Sequence, residues 1–515
     1  MKRFSWHSIF ITLYSVVFLY AENIKYVKLE DIYSPLLYVS LGALVVFILA
    51  WLVYRKIVKA GIITTVLLLL FFSYGHYHGL LYPQRIPVIN VRFDHNFYKW
   101  SSLIICLFMF WRLWLIKSDQ RKTNSILNFV SLLLLAMPVY KIIEHQFDLK
   151  TDVPFQKKTA VVEHIDIETK PSIYYLIMDA YGRNDVLKEL YDYDNSEFTD
   201  YLKDKGFFVA DQSFSNYNKT VLSIPSSMNM MYLDSIADEL GHQSENQTPL
   251  LQMIDRNRTV NQLDAFGYTS FAFDAPILPY LFFDSADLFY ETPGAYINLF
   301  ENELINTSII RAFKRKEAKS SVDQWEHHRK KILTAFDKIE AISKRDEPYY
   351  VHGHILAPHQ PFVFGAEGEP LNPEHHYTCW MPIEDGRDPQ EYREEYIAQL
   401  KFINKKLIQT VDAILANSKT DPIIIIQGDH GPCAELTNTQ TIEGNNFFER
   451  MPIINAYYFP EKKYSSLYPS ISPVNTFRVV FNQYFNKNYK LLPDSSFYST
   501  WKHHYDFVNV TDSLN

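Results

Sequence analysis

Five apolar runs crowd into the first 142 residues of this 515-residue chain, at 4–21, 35–54, 60–82, 101–116 and 124–142. Each is close to the ~20 residues that a helix needs to cross a bilayer core. One such run reads equally well as a buried core helix. Five in succession, separated by short charged loops, read as membrane spans. The first lacks a small-x-small cleavage site and four more follow it, so it reads as a helix rather than a signal peptide. The fourth is the shortest, and its Arg112 lies near the end, within snorkelling reach of the headgroups. Ionisable side chains such as Arg112 and His76 are rare in these runs, which argues against a channel or transporter.

Basic residues orient the module. Lys2 and Arg3 precede the first run, Arg55, Lys56 and Lys59 follow the second, and Lys117, Arg121 and Lys122 follow the fourth. These segments share one side, which the positive-inside rule makes cytoplasmic. Lys25, Lys28, Arg85 and Arg92 lie in the longer, less densely basic loops opposite. Five spans starting inside place everything after about residue 143 outside the cytoplasm. The expected domains are therefore a five-span unit at 1–143, a polar juxtamembrane connector at 144–170, and an extracytoplasmic domain at 171–515.

The second part has a different texture. Short apolar runs at 173–178, 269–273, 349–356, 423–426 and 453–459 read as buried strands. Between them, 389–417 repeats apolar residues at Tyr392, Tyr396, Leu400, Ile403, Leu407, Val411 and Ile414, a 3.6-residue period. Asp388, Pro389 and Glu391 supply its cap, first-turn proline and capping-box glutamate. Strands alternating with such helices predict a mostly parallel sheet covered on both faces. The net charge of -8 gives no footprint for nucleic acid. Three cysteines make no disulfide framework; with Cys106 in an apolar run, Cys379 and Cys433 are the one candidate pair.

Ligands bind outside the carboxyl ends of strands in open α/β sheets. The run 173–178 leads straight into Asp179, and the run 423–426 leads into Gln427, Gly428, Asp429, His430 and Gly431. A carboxylate at one strand end and an Asp-His pair at another can meet around one divalent cation. Oxygen and nitrogen donors without thiolate suit Mn or Zn, and also Ca or Mg. A lone strand-end Asp is as often a turn or cap residue; the GDHG segment is the more specific signal. Arg183, four residues after Asp179, is either a phosphate partner or a surface arginine. His352 and His354 are two apart on a strand and share a face; one reaches the site or both are structural. Glu374, His375 and His376 form a further candidate metal cluster.

A strand ending in Asp179, a Thr followed by small residues in NYNKTVLSIPSSMNMMYL, the PHQPF segment and a strand ending in GDHG together resemble the alkaline phosphatase superfamily. With five spans ahead of a sulfatase-like domain, the chain resembles lipoteichoic acid synthases and phosphoethanolamine transferases. The resemblance implies Thr220 as nucleophile and metal ligand, beside Asp179, Asp429 and His430, with Ser223, Ser226 and Ser227 as competitors for the nucleophile. Thr220 heads a helix, where the dipole favours a developing anion, and it serves equally as a cap there. His359 matches the histidine that contacts substrate or leaving group, and an imidazole there can protonate a departing alkoxide. Asn218 and Lys219 flank the nucleophile, where they can hold the transferred group. Two departures stand out. No Cys-x-Pro-x-Arg occurs, so the formylglycine of true sulfatases has no precursor, which favours phosphate over sulfate esters. Asp179 stands where the lipid-head-group transferases tend to carry Glu.

The expected protein is a membrane-anchored, metal-dependent phosphotransferase. It would move a phosphoryl-linked head group, of phosphoglycerol or phosphoethanolamine type, from a membrane phospholipid to an envelope glycan or lipid through a phosphothreonine at Thr220. A hydrolase of the same fold and a non-catalytic envelope scaffold are the rival readings.

Overall fold

The computed structural model describes residues 4–24, 27, 29–81, 85–86, 91–116, 118–148, 170–274, 286–290, 292, 299–313, 319–345, 348–371 and 388–514. The chain divides into two compact units, 1–153 with 295–318 and 154–294 with 319–515. The segment 295–318 lies in sequence within the expected external domain, yet its contacts belong to the N-terminal unit. Glu374, His375, His376 and Cys379 lie outside the described residues, as does most of the expected connector.

In the N-terminal unit, helices α1 (Trp6–Glu22), α2 (Tyr33–Tyr54), α3 (Ile57–Phe72), α4 (His95–Leu115) and α5 (Arg121–Asp148) occupy the five apolar runs. Among the described residues two helical stretches, Leu29–Tyr54 and Arg121–Glu144, are long and apolar enough to cross a membrane. Helix α3 is shorter than the run that encodes it, because the helix breaks at Ser73 and resumes at Tyr74–Leu81. The Tyr98 and Ser73 hydroxyls both donate to the Leu70 carbonyl and compete with its i to i+4 bond. Polar side chains pin α1 to its neighbours: His7 Nδ1 meets Thr65 Oγ1 at 2.6 Å, and Ser5 Oγ donates to Asn124 Oδ1 at 2.8 Å. Helix α7 (Leu299–Thr307) joins this unit and packs against α1.

The second unit is built on a seven-stranded sheet. Its strands are β1 (Ile173–Met178), β2 (Phe208–Val209), β3 (Thr269–Phe273), β4 (Leu288–Tyr290), β5 (Tyr349–Ile355), β6 (Ile423–Gly428) and β7 (Asn455–Tyr458), in the order β2-β7-β6-β1-β5-β3-β4. The pairs β6-β1, β1-β5, β5-β3 and β3-β4 are parallel; β7 is antiparallel to both neighbours. The expected mostly parallel sheet is present, and β2 and β4 extend it with short strands that carry little pattern.

Both faces are covered, because side chains alternate along a strand. Tyr174, Leu176 and Met178 of β1 enter one core with α8 (Lys319–Ile342) and α9 (Pro389–Asn417); Ile173, Tyr175 and Ile177 enter the other with α6 (Thr220–Asn229) and α11 (Pro473–Tyr484). The α9 start is capped as its sequence predicts, with the Asp388 carboxylate accepting from Gln390 N at 2.8 Å. Ile423–Ile426 is fully buried, as a central strand coated on both faces demands. Truncating Ile425 to Ala should destabilise this unit by about 2–5 kcal/mol, read as a lower midpoint in denaturant titration of the full chain.

Candidate metal centre

Register builds the site. Met178, Ile355 and Gly428 are aligned across three parallel strands, so Asp179 and Asp429 leave the sheet at one level. His354 pairs with Ile177, one step inside that level. Ligand atoms of Asp179, His354 and Asp429 lie within 4.8 Å of one another, all buried. His430 Nε2 is 3.4 Å from Asp429 Oδ2, 3.6 Å from Asp179 Oδ1 and 3.1 Å from Thr220 Oγ1. The four residues named as ligands from sequence therefore converge. His354 joins them, its Nε2 at 3.2 Å from Asp179 Oδ2.

The bonding pattern at these atoms points to a cation. Asp429 Oδ1 accepts from Ala180 N at 3.1 Å and from His430 N at 2.9 Å, and Asp179 Oδ2 meets His354. The other oxygen of each, Asp179 Oδ1 and Asp429 Oδ2, is buried without a hydrogen-bond partner. These two orphans are the oxygens that face His430 Nε2. His430 Nδ1 lies 3.0 Å from the Gly431 carbonyl, which only accepts, so Nδ1 carries the proton and Nε2 presents its lone pair. A tetrahedron with arms of about 2.0–2.2 Å has edges of about 3.3–3.6 Å. The 3.4 and 3.6 Å separations fit that size, while Thr220 Oγ1 at 3.1 Å is at hydrogen-bond distance from His430 Nε2.

Electrostatics agree. Burial pushes the Asp429 carboxyl up, and the neighbouring Asp179 charge pushes it further. Burial also acts on Asp179, but His359, the hydrogen bond from His354, and His430 override it and hold that carboxyl below the usual range. Burial and the Arg450 charge lower His430, keeping it neutral and able to ligate. Two carboxylates this close are costly together until a divalent cation joins them.

Helix α9 and the short helix α10 (Phe447–Arg450) hold the loops in place. Tyr396 OH donates to the Ala180 carbonyl at 2.9 Å. Gln399, one turn on, donates to the His359 carbonyl at 3.0 Å and accepts from Val363 N at 2.8 Å. His359 N donates to the Asp179 carbonyl at 3.0 Å, and its ring centroid is 6.1 Å from that of His430. Its Nδ1 donates to the Gln360 carbonyl, leaving Nε2 as the working nitrogen. Glu449 accepts from Ala434 N and Glu435 N, each at 2.8 Å, which fixes the turn after GDHG. Gly431 is required there, since a Cβ would sit 2.2 Å from the Glu449 carbonyl oxygen.

The remaining candidates divide. Arg183 donates through Nε and Nη2 to Asp185 and through Nη1 to the Ser213 carbonyl, and none of these bonds reaches the cluster. Asn218 exchanges two bonds with the Ser499 backbone, and Lys219 Nζ donates to the Thr500 carbonyl at 2.7 Å. The cation beside the cluster is Arg450, whose Nη1 donates to the Gly431 carbonyl at 2.8 Å and Nε to the Asn218 carbonyl at 2.9 Å. In the sequence Arg450 is one charge among many. Its only hint is its position directly ahead of the strand that borders β6.

No family model and no curated protein matches the chain. Solved structures similar to it come from the sulfatase-like alkaline phosphatase superfamily. The C-terminal periplasmic domain of EcEptC from Escherichia coli is 12% identical over 67% of this chain and 94% of that one, with a TM-score of 0.42; it is also solved in complex with Zn. Lipooligosaccharide phosphoethanolamine transferase A from Neisseria meningitidis is 12% identical over 78% of this chain and 70% of its own, at 0.41. The lipoteichoic acid synthase LtaP from Listeria monocytogenes is 13% identical over 65% and 76%, at 0.37. Likeness of this degree leaves the functional reading to the chemistry of the site.

Asp429→Asn keeps the Oδ1 acceptor and removes one of two facing charges. It should raise the melting temperature of the metal-free protein and abolish the further rise that Zn or Mn gives the wild type. Binding to the wild type should release protons and weaken as pH falls, because the Asp429 pKa is raised; calorimetry in buffers of different ionisation enthalpy reads both.

Proposed function

We propose that the chain is a multi-pass membrane phosphotransferase with its second unit outside the cytoplasm. It transfers a phosphoryl-linked head group from a phospholipid to an envelope glycan or lipid. The observation that carries this reading is the placement of Thr220 Oγ1 at 3.1 Å from His430 Nε2, beside two unsatisfied carboxylate oxygens and at the N-terminus of a ten-residue helix. Asp179, Asp429, His430 and Thr220 hold one divalent cation, Mn or Zn fitting the donor set best, with His354 orienting Asp179. That cation, when bound, supplies positive charge that favours the Thr220 alkoxide.

The chain's own groups do the rest. Neutral His359, held below its usual range by burial, takes the Thr220 Oγ proton as that oxygen forms a bond to phosphorus, and the bond from phosphorus to the lipid alcohol breaks. His359 then delivers that proton to the departing alkoxide oxygen, releasing diacylglycerol, and in the second half-reaction takes a proton from the acceptor hydroxyl and returns it to Thr220 Oγ. The acceptor oxygen then displaces Thr220, so the enzyme is restored. Five spans suit this chemistry, because a lipid donor lies in the plane of the membrane beside the site. A hydrolase of soluble esters would need only one anchor.

Intact mass of the full chain, incubated with phosphatidylglycerol or phosphatidylethanolamine and Mn or Zn, tests the reading. The wild type should gain the mass of one phosphoryl head group, and Thr220→Ala should gain none. His359→Ala should slow adduct formation by about 10²–10⁴-fold. An unmodified wild type with donor lipid intact would sink lipid-donor transfer.

A further inference from the structure

The segment 295–318 completes the N-terminal unit. After α7 it forms a short 3-10 helix, Ile309–Phe313, whose Ile309 and Ala312 pack with Tyr74, Tyr77 and Tyr98. The ring centroids of Tyr74 and Tyr77 lie 5.0 and 4.8 Å from that of Tyr98, and the Tyr77 hydroxyl donates to the Asp94 carbonyl at 2.8 Å. Trp100 follows on α4 and is exposed. Tyr and Trp gather at the headgroup level of a bilayer, so this belt marks the depth of the 3-10 helix. Here α3 ends and α4 begins, at the ends opposite to Arg55, Lys56, Lys59 and Lys117. By the positive-inside rule this is the outer leaflet.

Two apolar clefts meet at this level. One, of about 490 Å³, is formed by α3, α4 and the 3-10 helix; Leu67, Phe71, Leu103, Cys106 and Ile309 line it, with Asn96 and Lys99 at its α4 start. The other, of about 480 Å³, is formed by α2, α3, α7 and the 3-10 helix; Gly42, Val46, Leu68, Phe71 and Ile310 line it. Phe71 belongs to both, and the consecutive residues Ile309 and Ile310 take one cleft each, so the two are neighbours with a shared wall. From Asn96 to Cys106, and from Pro35 to Val46, a helix advances about 15–17 Å, half of the ~30 Å hydrocarbon core. Each cleft therefore has the reach of one acyl chain within one leaflet.

Charge selects the head. Among the described residues the Lys99 ammonium has the Phe313 ring, 4.6 Å to its centroid, and no carboxylate in ion-pair range. Glu301 lines the second cleft, so an anion fits the Lys99 side and not the other. A lysine at headgroup level attracts anionic lipid. We propose that the two clefts seat one diacyl anionic phospholipid of the outer leaflet, with its phosphate at Lys99 and one tail on each side of Phe71. The site rests on the membrane reading of the N-terminal unit and not on the chemistry at Thr220. The lipid is a resident of the helices, and the segment 295–318 supplies part of its seat.

Native mass spectrometry of the full chain in mild detergent tests this, with dioleoyl phosphatidylglycerol, its single-tailed lyso form and dioleoyl phosphatidylcholine as probes. The wild type should hold one phosphatidylglycerol per chain, at least tenfold more tightly than either of the other two. Lys99→Gln should lose the preference for phosphatidylglycerol over phosphatidylcholine and keep the preference for two tails. Gly42→Leu should do the reverse, because a Cβ there meets nothing within 4 Å and the added side chain enters the open second cleft. Thermal unfolding checks that each variant folds; if Gly42→Leu does not, Val46→Trp in the same cleft decides. A wild type without either preference, or variants that keep both, would overturn the site. Washing membranes with alkaline carbonate separates the two failures. A chain released by the wash removes the membrane reading and the lipid site together, whereas a retained chain without lipid preference removes the lipid site alone.

Discussion

Two carboxylates buried side by side, each with one oxygen unsatisfied, are the constraint around which the second unit is organised. Asp179 and Asp429 are brought together by register, because the strands that carry them run parallel and end level. Hydrophobic burial on both faces of the sheet fixes that register, since a slip of one residue would turn Tyr174, Leu176 and Met178 towards the wrong core. The core therefore supplies the free energy that holds like charges in proximity, and a cation relieves the cost.

The loops that carry the chemistry are held by polar groups of the layers outside the sheet. Tyr396 and Gln399 project from one face of α9 and grip the Asp179 and His359 loops in turn. Arg450 ties the carbonyl of Gly431 to that of Asn218, which links the metal loop to the segment ahead of Thr220. Each of these bonds is buried, where losing one partner strands the other and costs about 1–3 kcal/mol. Preorganisation of this kind lets a hydroxyl and an imidazole act without rearrangement.

Much of this was legible in the sequence. Strand ends are readable where an apolar run stops at an acid, so Asp179, Asp429 and His430 stood out, and the 3.6-residue period of α9 named its buried face. What escaped was decided by tertiary partners. His352 and His354 look alike on one strand, and only register with Ile177 places His354 against Asp179. Arg183 reads equally as a phosphate partner or a surface arginine, and its guanidinium pairs with Asp185 two residues away. Arg450 carries no local pattern, because one of its two carbonyl partners, Asn218, lies 232 residues earlier. The break at Ser73 was hidden inside a continuous apolar run, since the competing hydroxyl comes from Tyr98 on another helix.

Anomalous scattering from crystals of the Zn- or Mn-loaded protein tests the central claim most directly. The account predicts one peak within bonding distance of Asp179 Oδ1, Asp429 Oδ2 and His430 Nε2, with Thr220 Oγ1 completing the set. A peak elsewhere, or none at saturating metal, would contradict it.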